Sequence, residues 1–368
     1  MPNLDAAVVG FPRESVPGDR RTLLTPAVAR CLRDAGFTVL AEPDVAAGVF
    51  CPDADLAAEG VRFADPERVW AAPLVLRYKC TNPADLGRLR PRQALGALFH
   101  AEGNPAMLSA LMDCKISAYS YEFLAEHGRF PLAAPGGQIA GIQAVLRGAQ
   151  ALQEFSGRGV LLAEVAGAAR PRVVVIGSGN VGSAAARTAA ALGVRVTVLT
   201  RCEGSADEYR PQAPTGVRVA VNTARIRREL ISQADLVIGA ILVSTFDTPP
   251  MISEADLRDM KPGSVIVDAT CGYGDGYLPT AGGVQEPGEP PRVVHGVLHI
   301  KLDALPALVP VTATQAYTTN ALPYLVRLAR VVLCGDADPA VATARIAHDG
   351  ELVHPVCREH AAYFGVAA

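Results

Sequence analysis

The chain has 368 residues, half of them apolar, and a formal net charge of −3 at pH 7. This length suffices for two domains of ordinary size, each with its own packed core. The small negative charge predicts no general attraction to nucleic acid or to an anionic membrane surface. The longest apolar runs, such as residues 236–243, are too short to span a bilayer, so no membrane partner is predicted.

The amino terminus and the cysteines predict a cytoplasmic protein. The first ten residues contain Asp5 and lack the basic start of a signal peptide. The eight cysteines are scattered without a CxxC pair, which suits reduced thiols. His295 and His299 lie four apart in the strand-like run VVHGVLHI, where both would point to one face without further ligands. No metal site is therefore predicted.

In chain order, the first elements form a β-α-β unit. Residues 6–11 predict a strand, and an arginine-rich loop follows it. Thr25 followed by Pro26 is typical of a helix start, because a hydroxyl caps the free N–H groups and proline suits the first helical position. Apolar residues at helical spacing extend this helix to Gly36, and residues 37–41 predict the next strand.

Two later strands end on side chains that suit chemistry at a ligand site. Residues 73–79 (PLVLRYK) end on Lys79, and residues 94–100 (ALGALFH) end on His100. In open parallel sheets, ligands bind outside the carboxyl ends of the strands. A lysine there supplies positive charge to a carbonyl or carboxylate oxygen, and a histidine exchanges protons near neutral pH. A surface lysine and a loop histidine are the alternative interpretation of the same residues.

A glycine-rich turn between a strand and a helix predicts a dinucleotide site. The apolar strand 173–176 precedes Gly177, Gly179 and Gly182, which have the spacing GxGxxG, and an alanine-rich helix and the strand 194–199 follow. The first glycine permits a tight turn, the second lets the backbone approach a pyrophosphate, and the third lets the helix pack on the sheet. The helix N-terminus then offers N–H groups to the phosphates.

The end of the second strand favours NADPH, with NADH as the alternative. Enzymes that use NAD usually carry an acid there for the ribose 2′-OH, but this strand ends Leu199-Thr200-Arg201, with no acid before Glu203. A hydroxyl beside a guanidinium suits a 2′-phosphate, which a carboxylate would repel. Arg201 could equally be a solvated loop residue.

Further elements complete the predicted domains. Strands are expected within residues 116–123, 236–243 and 264–271, helices at 138–154 and 322–332, and a long loop at 272–292. The ends of the strands at 236–243 and 264–271 would border the cofactor. The predicted cofactor-binding residues are therefore Gly177, Ser178, Gly179, Asn180, Val181, Gly182, Thr200, Arg201, Gly239, Ala240, Ile241 and Leu242.

With these motifs, the chain resembles the alanine dehydrogenase and transhydrogenase N-terminal superfamily, which includes saccharopine dehydrogenase and N5-(carboxyethyl)ornithine synthase. The resemblance rests on GDRRTLLTP, LRYK, LFHAEGN, IGSGNVG, ADLVIGAIL, DLRDMKPGSVIVD, VVHGVLH and TTNALPYL. HGVLHIKLDALPAL is closer to the synthase-like branch. The resemblance implies an α/β fold with two Rossmann-like domains and a cleft between them. The substrate domain would comprise residues 1–137 and 308–368, and the dinucleotide-binding domain residues 138–307.

The resemblance also implies roles for individual residues and a homo-oligomeric assembly. Arg21 matches the arginine that grips the carboxylate of a 2-oxo acid, Lys79 the lysine that contacts the substrate oxygens, and His100 the proposed acid/base. Lys79 and His100 are thus the predicted catalytic residues, and Arg21 and Lys79 bind substrate. Asp303 matches an Asp of the synthase-like branch and is the candidate contact for a second amino acid.

Three departures from the alanine dehydrogenase pattern affect the predicted reaction. Gly272 stands where the family has the Asp expected to interact with ammonia, and Gly137 and Ala304 replace a Ser and an Asn. Asp275 could replace the missing carboxylate. We therefore expect an NADPH-dependent enzyme that reduces an imine formed from a 2-oxo acid and an amine or amino acid. A simple alanine-type dehydrogenase and a non-catalytic NADP-binding protein are the alternatives.

Overall fold

The computed structural model describes residues 7–241, 250–269, 278–286 and 288–366. The chain divides into two compact units, of which unit 1 comprises Met1–Gly136 with Val309–Ala368 and unit 2 comprises Gly137–Leu308. Each unit is built on one largely parallel sheet, which confirms the predicted α/β class with two Rossmann-like parts. The predicted cleft stays a prediction. No helix in the described part of the chain is both long enough and apolar enough to cross a membrane.

The amino-terminal part of unit 1 alternates strands and helices. In chain order its elements are β1 (Val8–Phe11), α1 (Pro26–Asp34), β2 (Thr38–Ala41), α2 (Asp53–Ala58), β3 (Arg62–Phe63), α3 (Pro66–Trp70), β4 (Leu74–Lys79), β5 (Ala94–Leu98), α4 (Pro105–Asp113) and β6 (Ser117–Ser120). The cap predicted for α1 is present, because the Thr25 hydroxyl accepts a hydrogen bond from the Val28 N–H at 3.3 Å.

Unit 2 begins within α5 (Ala134–Gln153), whose first residues belong to unit 1. Its further elements are β7 (Arg172–Ile176), α6 (Asn180–Ala191), β8 (Arg195–Thr200), α7 (Glu203–Tyr209), β9 (Arg218–Val221), α8 (Ala224–Ile231), β10 (Leu236–Gly239), α9 (Glu254–Asp259), β11 (Val265–Asp268), β12 (Arg292–Val294) and β13 (Val297–Lys301). The chain then returns to unit 1 as α10 (Pro310–Cys334), α11 (Pro339–Ala344), β14 (Arg345–His348), β15 (Glu351–Leu352) and α12 (Pro355–Phe364).

The strand orders place the carboxyl ends of neighbouring parallel strands side by side. In unit 1 the order is β15-β14-β6-β5-β4-β1-β2-β3, and β14 runs antiparallel to both of its neighbours. In unit 2 the order is β12-β13-β11-β10-β7-β8-β9, and β12 is the antiparallel strand. Apolar clusters cover both faces of each sheet, which explains the nearly continuous apolar runs in the parallel strands.

Several predicted boundaries were wrong for physical reasons. The strand expected at 116–123 ends at Ser120, and the helix expected at 322–332 is the longer α10, which contains Pro323. The run VVHGVLHI is a hairpin rather than one strand, because His295 and Gly296 have φ of 49° and 79° and form its two-residue turn. The two histidines of this run therefore do not share a strand.

Candidate functional site

Four ionisable side chains follow the carboxyl ends of four neighbouring strands in unit 1. The strands β1, β4, β5 and β6 are adjacent and parallel. Glu14 follows β1, Lys79 ends β4, His100 follows β5 and Glu122 follows β6. Ligands of such sheets bind at this edge. The structure thus places the predicted Lys79 and His100 on one edge and adds Glu14 and Glu122, which the sequence analysis missed.

His100 is held by Glu122. The His100 backbone N–H donates to Glu122 Oε1 at 2.9 Å, and Nδ1 of the ring lies 3.4 Å from the same oxygen. The Ser120 hydroxyl donates to the other carboxylate oxygen. Burial raises the pKa of Glu122 above its ordinary value. A carboxylate at Nδ1 orients the imidazole for proton exchange through Nε2, so the pair suits acid–base chemistry.

The backbone of His100 is unusual. Its φ is 47°, in the left-handed region that non-glycine residues seldom adopt. Residues in this region persist where the surrounding structure fixes them, and they cluster at functional sites. The hydrogen bond from the His100 N–H to Glu122 is one such fixing contact.

Glu14 fixes the end of the strand that carries Lys79. Its carboxylate accepts hydrogen bonds from the backbone N–H groups of Tyr78 at 2.7 Å and of Lys79 at 3.1 Å. Arg77, fully buried, lies 3.4 Å from the same carboxylate and donates to Asp85 at 2.6 Å. Burial raises the pKa of Glu14 to about 7, although Arg77 and the two backbone donors act against it. Glu14 therefore positions the buried Lys79 by way of its main chain.

Arg21 is buried and paired with Asp19. Asp19 accepts hydrogen bonds from Nε at 2.9 Å and from Nη2 at 2.5 Å, and the guanidinium carbon lies 4.4 Å from the centre of the Tyr78 ring. Burial alone would raise the pKa of Asp19, but Arg21 outweighs burial and holds it below its ordinary value. The binding of a substrate carboxylate by Arg21, whose guanidinium matches that group in geometry, stays a prediction.

The glycine turn of unit 2 has the geometry of a phosphate cradle. A Cβ atom on Gly177, whose φ is 114°, would lie 2.3 Å from the Ala240 carbonyl oxygen. A Cβ on Gly182 would lie 2.0 Å from the Gly177 carbonyl oxygen, whereas one on Gly179 would meet nothing within 4 Å. Gly179 also begins α6 without a side-chain cap, so no capping side chain occupies the first N–H groups of α6. These residues fit the pyrophosphate of a dinucleotide.

The other predicted residues of this turn lie in and just after it. Ser178 accepts a hydrogen bond from the Ser183 hydroxyl at 2.9 Å through its carbonyl oxygen. Asn180 is exposed and Val181 is half-buried in the first turn of α6. A Cβ on Gly137 would lie 2.9 Å from Asn180 Cβ, so Gly137 does not leave room for a larger group. It instead lets α5 pack against the start of α6.

The end of β8 presents a guanidinium rather than a carboxylate. Arg201 is exposed, whereas Thr200 is fully buried and donates its hydroxyl to the carbonyl oxygens of Cys202 at 3.3 Å and Ala220 at 3.4 Å. Glu203, the first acid after the strand, lies 3.4 Å from Arg210. The exposed side chain directly after β8 is therefore positively charged rather than acidic.

The remaining predicted residues lie at the ends of β10 and β13. Gly239 ends β10 between β7 and β11, and the Ala240 N–H donates to the Ile176 carbonyl at 2.8 Å. Ile241 is half-buried, and Asp303 is exposed just beyond β13. Three other residues named from the sequence lie outside the described residues: Leu242, Gly272 and Asp275.

Unit 2 is thus an α/β module of the dinucleotide-binding class, attached to a second α/β unit with a polar strand edge. Residues 10–140 match the family model "Alanine dehydrogenase/PNT, N-terminal domain", and residues 144–355 match "Alanine dehydrogenase/PNT, C-terminal domain". The chain therefore belongs to the alanine dehydrogenase/PNT family, a family of oxidoreductases.

Known proteins resemble the chain over almost its whole length. The alanine dehydrogenase of Halomonas elongata is 36% identical over 362 residues, which cover 95% of this chain and 96% of that protein. A solved L-alanine dehydrogenase superposes with a TM-score of 0.87 at 30% identity and covers 98% of this chain and 100% of its own. A transhydrogenase from Sinorhizobium meliloti, at 22% identity and a TM-score of 0.78, covers 94% of this chain and 100% of its own and shares the fold.

Proposed function

We propose that the protein is an NADPH-dependent reductase of the amino-acid class. Its substrate would be the imine formed from a 2-oxo acid and an amine or amino acid, and its product a secondary amine. The observation that carries the choice of cofactor is the end of β8, where Arg201 is exposed and no carboxylate precedes Glu203. The choice of an amine other than ammonia rests on Gly272, which stands where the family pattern has an Asp.

The residues of unit 1 account for recognition of the 2-oxo acid. Arg21 binds its carboxylate, and the ammonium of Lys79 polarises its carbonyl or the imine. His100, oriented by Glu122, exchanges the proton at the substrate nitrogen or oxygen. Bound NADPH would supply the hydride, and the residues of the glycine turn with Arg201 would hold it.

An alanine dehydrogenase activity is the second candidate. It is favoured by the relatives of that name, which match this chain over nearly their whole length. It predicts turnover of pyruvate with ammonia and NADH. A non-catalytic NADP-binding protein would instead bind NADPH and turn over no amine.

The reaction is tested by following NADPH and NADH oxidation with pyruvate and ammonia, ornithine or lysine in parallel, with the product identified by mass spectrometry. We expect a secondary amine from an amino acid with NADPH. Activity with only ammonia and NADH would contradict the proposal.

The cofactor preference is tested separately with Arg201→Ala. Loss of a charge-assisted phosphate contact should raise the KM for NADPH by about 10- to 100-fold and leave the KM for NADH unchanged. Arg195→Ala is the matched control, because Arg195 is exposed at the opposite end of the same strand. Equal effects of Arg201→Ala on both cofactors would argue against a 2′-phosphate contact.

A further inference from the structure

A buried lysine and a buried aspartate end two neighbouring strands of unit 2. Lys301 ends β13 and Asp268 ends β11, and the two residues are paired in register. Their side chains are 4% and 3% exposed, and Lys301 Nζ lies 3.7 Å from Asp268 Oδ2. That separation is longer than a hydrogen bond. No described residue accepts a hydrogen bond from Lys301 Nζ.

Within the described residues, the ammonium of Lys301 has an ionic partner but no hydrogen-bond acceptor. An ammonium carries three donors, and a buried charge is stabilised only when it is both paired and hydrogen-bonded. Asp268 compensates the charge of Lys301, but its carboxylate oxygen is too distant to accept a hydrogen bond from the ammonium. An ammonium whose donors find no acceptor among the described residues can donate hydrogen bonds to an anionic group.

The main chain around Lys301 is fixed, so the ammonium has a defined place. The Lys301 N–H donates to Gln285 Oε1 at 2.7 Å, and the Lys301 carbonyl accepts from the Gln285 N–H at 2.7 Å. The pair lies at the carboxyl edge of the sheet, the same edge as the glycine turn, where ligands of such sheets bind. Asp303, two residues further on, is exposed at that edge.

We propose that Lys301 binds the carboxylate of the amino-acid co-substrate, with Asp268 as the residue that positions its ammonium. This inference rests on the proposed function and names the substrate class of the same site. A single carboxylate fits, because Asp268 already compensates part of the charge of Lys301.

The test compares amino acids with the same amines without their carboxylate: ornithine with 1,4-diaminobutane and lysine with 1,5-diaminopentane. With pyruvate and NADPH, the wild-type protein should show a KM at least about 10- to 100-fold lower for the amino acid, the range of one charge-assisted hydrogen bond. Lys301→Met should remove this preference, and Lys301→Arg should restore part of it. The Kd for NADPH should stay within about twofold.

Lys261→Met is the matched control. Lys261 Nζ also pairs with a buried aspartate, Asp235, at 2.7 Å, but the pair lies ahead of β10 and β11, at the opposite edge of the sheet. This variant should keep the preference for amino acids. The proposal is overturned if Lys301→Met loses activity with amino acids and diamines equally, or if Lys261→Met also loses the preference for amino acids. Either result would make Lys301 a structural residue.

Two outcomes of this test distinguish failure of the role of Lys301 from failure of the proposed function. A wild-type protein that shows no preference between amino acid and diamine overturns the role of Lys301 whether or not the variant folds. Should the wild-type protein turn over no amine, the proposed function fails. Quenching of NADPH fluorescence by added ligand then decides the role of Lys301. Binding of the amino acid but not of the matching diamine, abolished in Lys301→Met, supports the role. The absence of such a difference in the wild-type protein overturns it.

Discussion

Two glycines of the cradle should respond in opposite ways to the same substitution. Gly182→Ala places a Cβ 2.0 Å from the Gly177 carbonyl oxygen, so α6 would have to move by more than about 1 Å. The opposite side of α6 gives little room, because a Cβ on Gly141 of α5 would already lie 2.1 Å from the Val181 carbonyl oxygen. Overpacking of this kind costs about 1–3 kcal/mol, which corresponds to a Tm lower by roughly 4–8 °C for about 2 kcal/mol.

Gly179→Ala should leave stability unchanged and remove cofactor binding. Nothing lies within 4 Å of its Cβ, and φ of −73° suits alanine, so the free energy of unfolding should change by less than about 0.5 kcal/mol. The new methyl group would instead occupy the space into which a pyrophosphate must approach. We expect the Kd for NADPH to rise by about 30-fold or more, a loss of about 2 kcal/mol.

Differential scanning calorimetry and a fluorescence titration with NADPH measure both effects on the same preparations. We expect the Gly179→Ala variant to be stable but unable to bind NADPH, and the Gly182→Ala variant to have a lower Tm. Tight NADPH binding by Gly179→Ala would refute the assignment of the open side of the turn to the phosphates. An undiminished Tm for Gly182→Ala would refute the packing argument.

Three further predictions concern unit 1. The folded chain holds the proton of Glu14 more tightly than the unfolded chain, since its pKa is raised to about 7, so ionisation costs stability as pH rises. Urea unfolding should show Glu14→Gln gaining roughly 2–3 kcal/mol relative to wild type between pH 5 and pH 8, and a constant difference would contradict this. Glu122→Gln should lower kcat by about 10- to 100-fold with little change in KM, because His100 loses its orienting carboxylate; a change confined to KM would place Glu122 in binding. Arg21→Lys should raise the KM for the 2-oxo acid by about 10- to 100-fold, since a lysine cannot offer a fork, and an unchanged KM would exclude Arg21 as the carboxylate contact.

Two of the four ionisable residues at the edge of the unit 1 sheet could be predicted from the sequence. Lys79 and His100 could be placed because each follows an apolar run whose length suits a buried strand. Glu122 was missed because its strand was expected to run to Phe123, so the residue was read as part of the strand rather than beyond its end. Glu14 was missed because its role depends on hydrogen bonds to residues more than sixty positions away, which no local pattern encodes.

In unit 2 the glycine spacing predicted the cradle, but side-chain directions could not be read. Thr200 was expected to face the cofactor, and its hydroxyl is instead hydrogen-bonded to the main chain. Lys301 was not predicted, because the end of an apolar run does not show whether its lysine is buried or reaches solvent. Only its pairing with Asp268 across two strands shows that it is buried.

The insertion of unit 2 between the two parts of unit 1 bears on synthesis of the chain. Unit 2 is continuous and is complete once Leu308 has left the ribosome. The sheet of unit 1 must wait, because β14 pairs with β6 only after residues 345–348 emerge, and α10 supplies Tyr317, Leu325 and Leu328 to its core. A ribosome stalled shortly after α5 would therefore carry an unfinished hydrophobic surface, whereas a ribosome stalled after α10 has emerged would already display a complete unit 2.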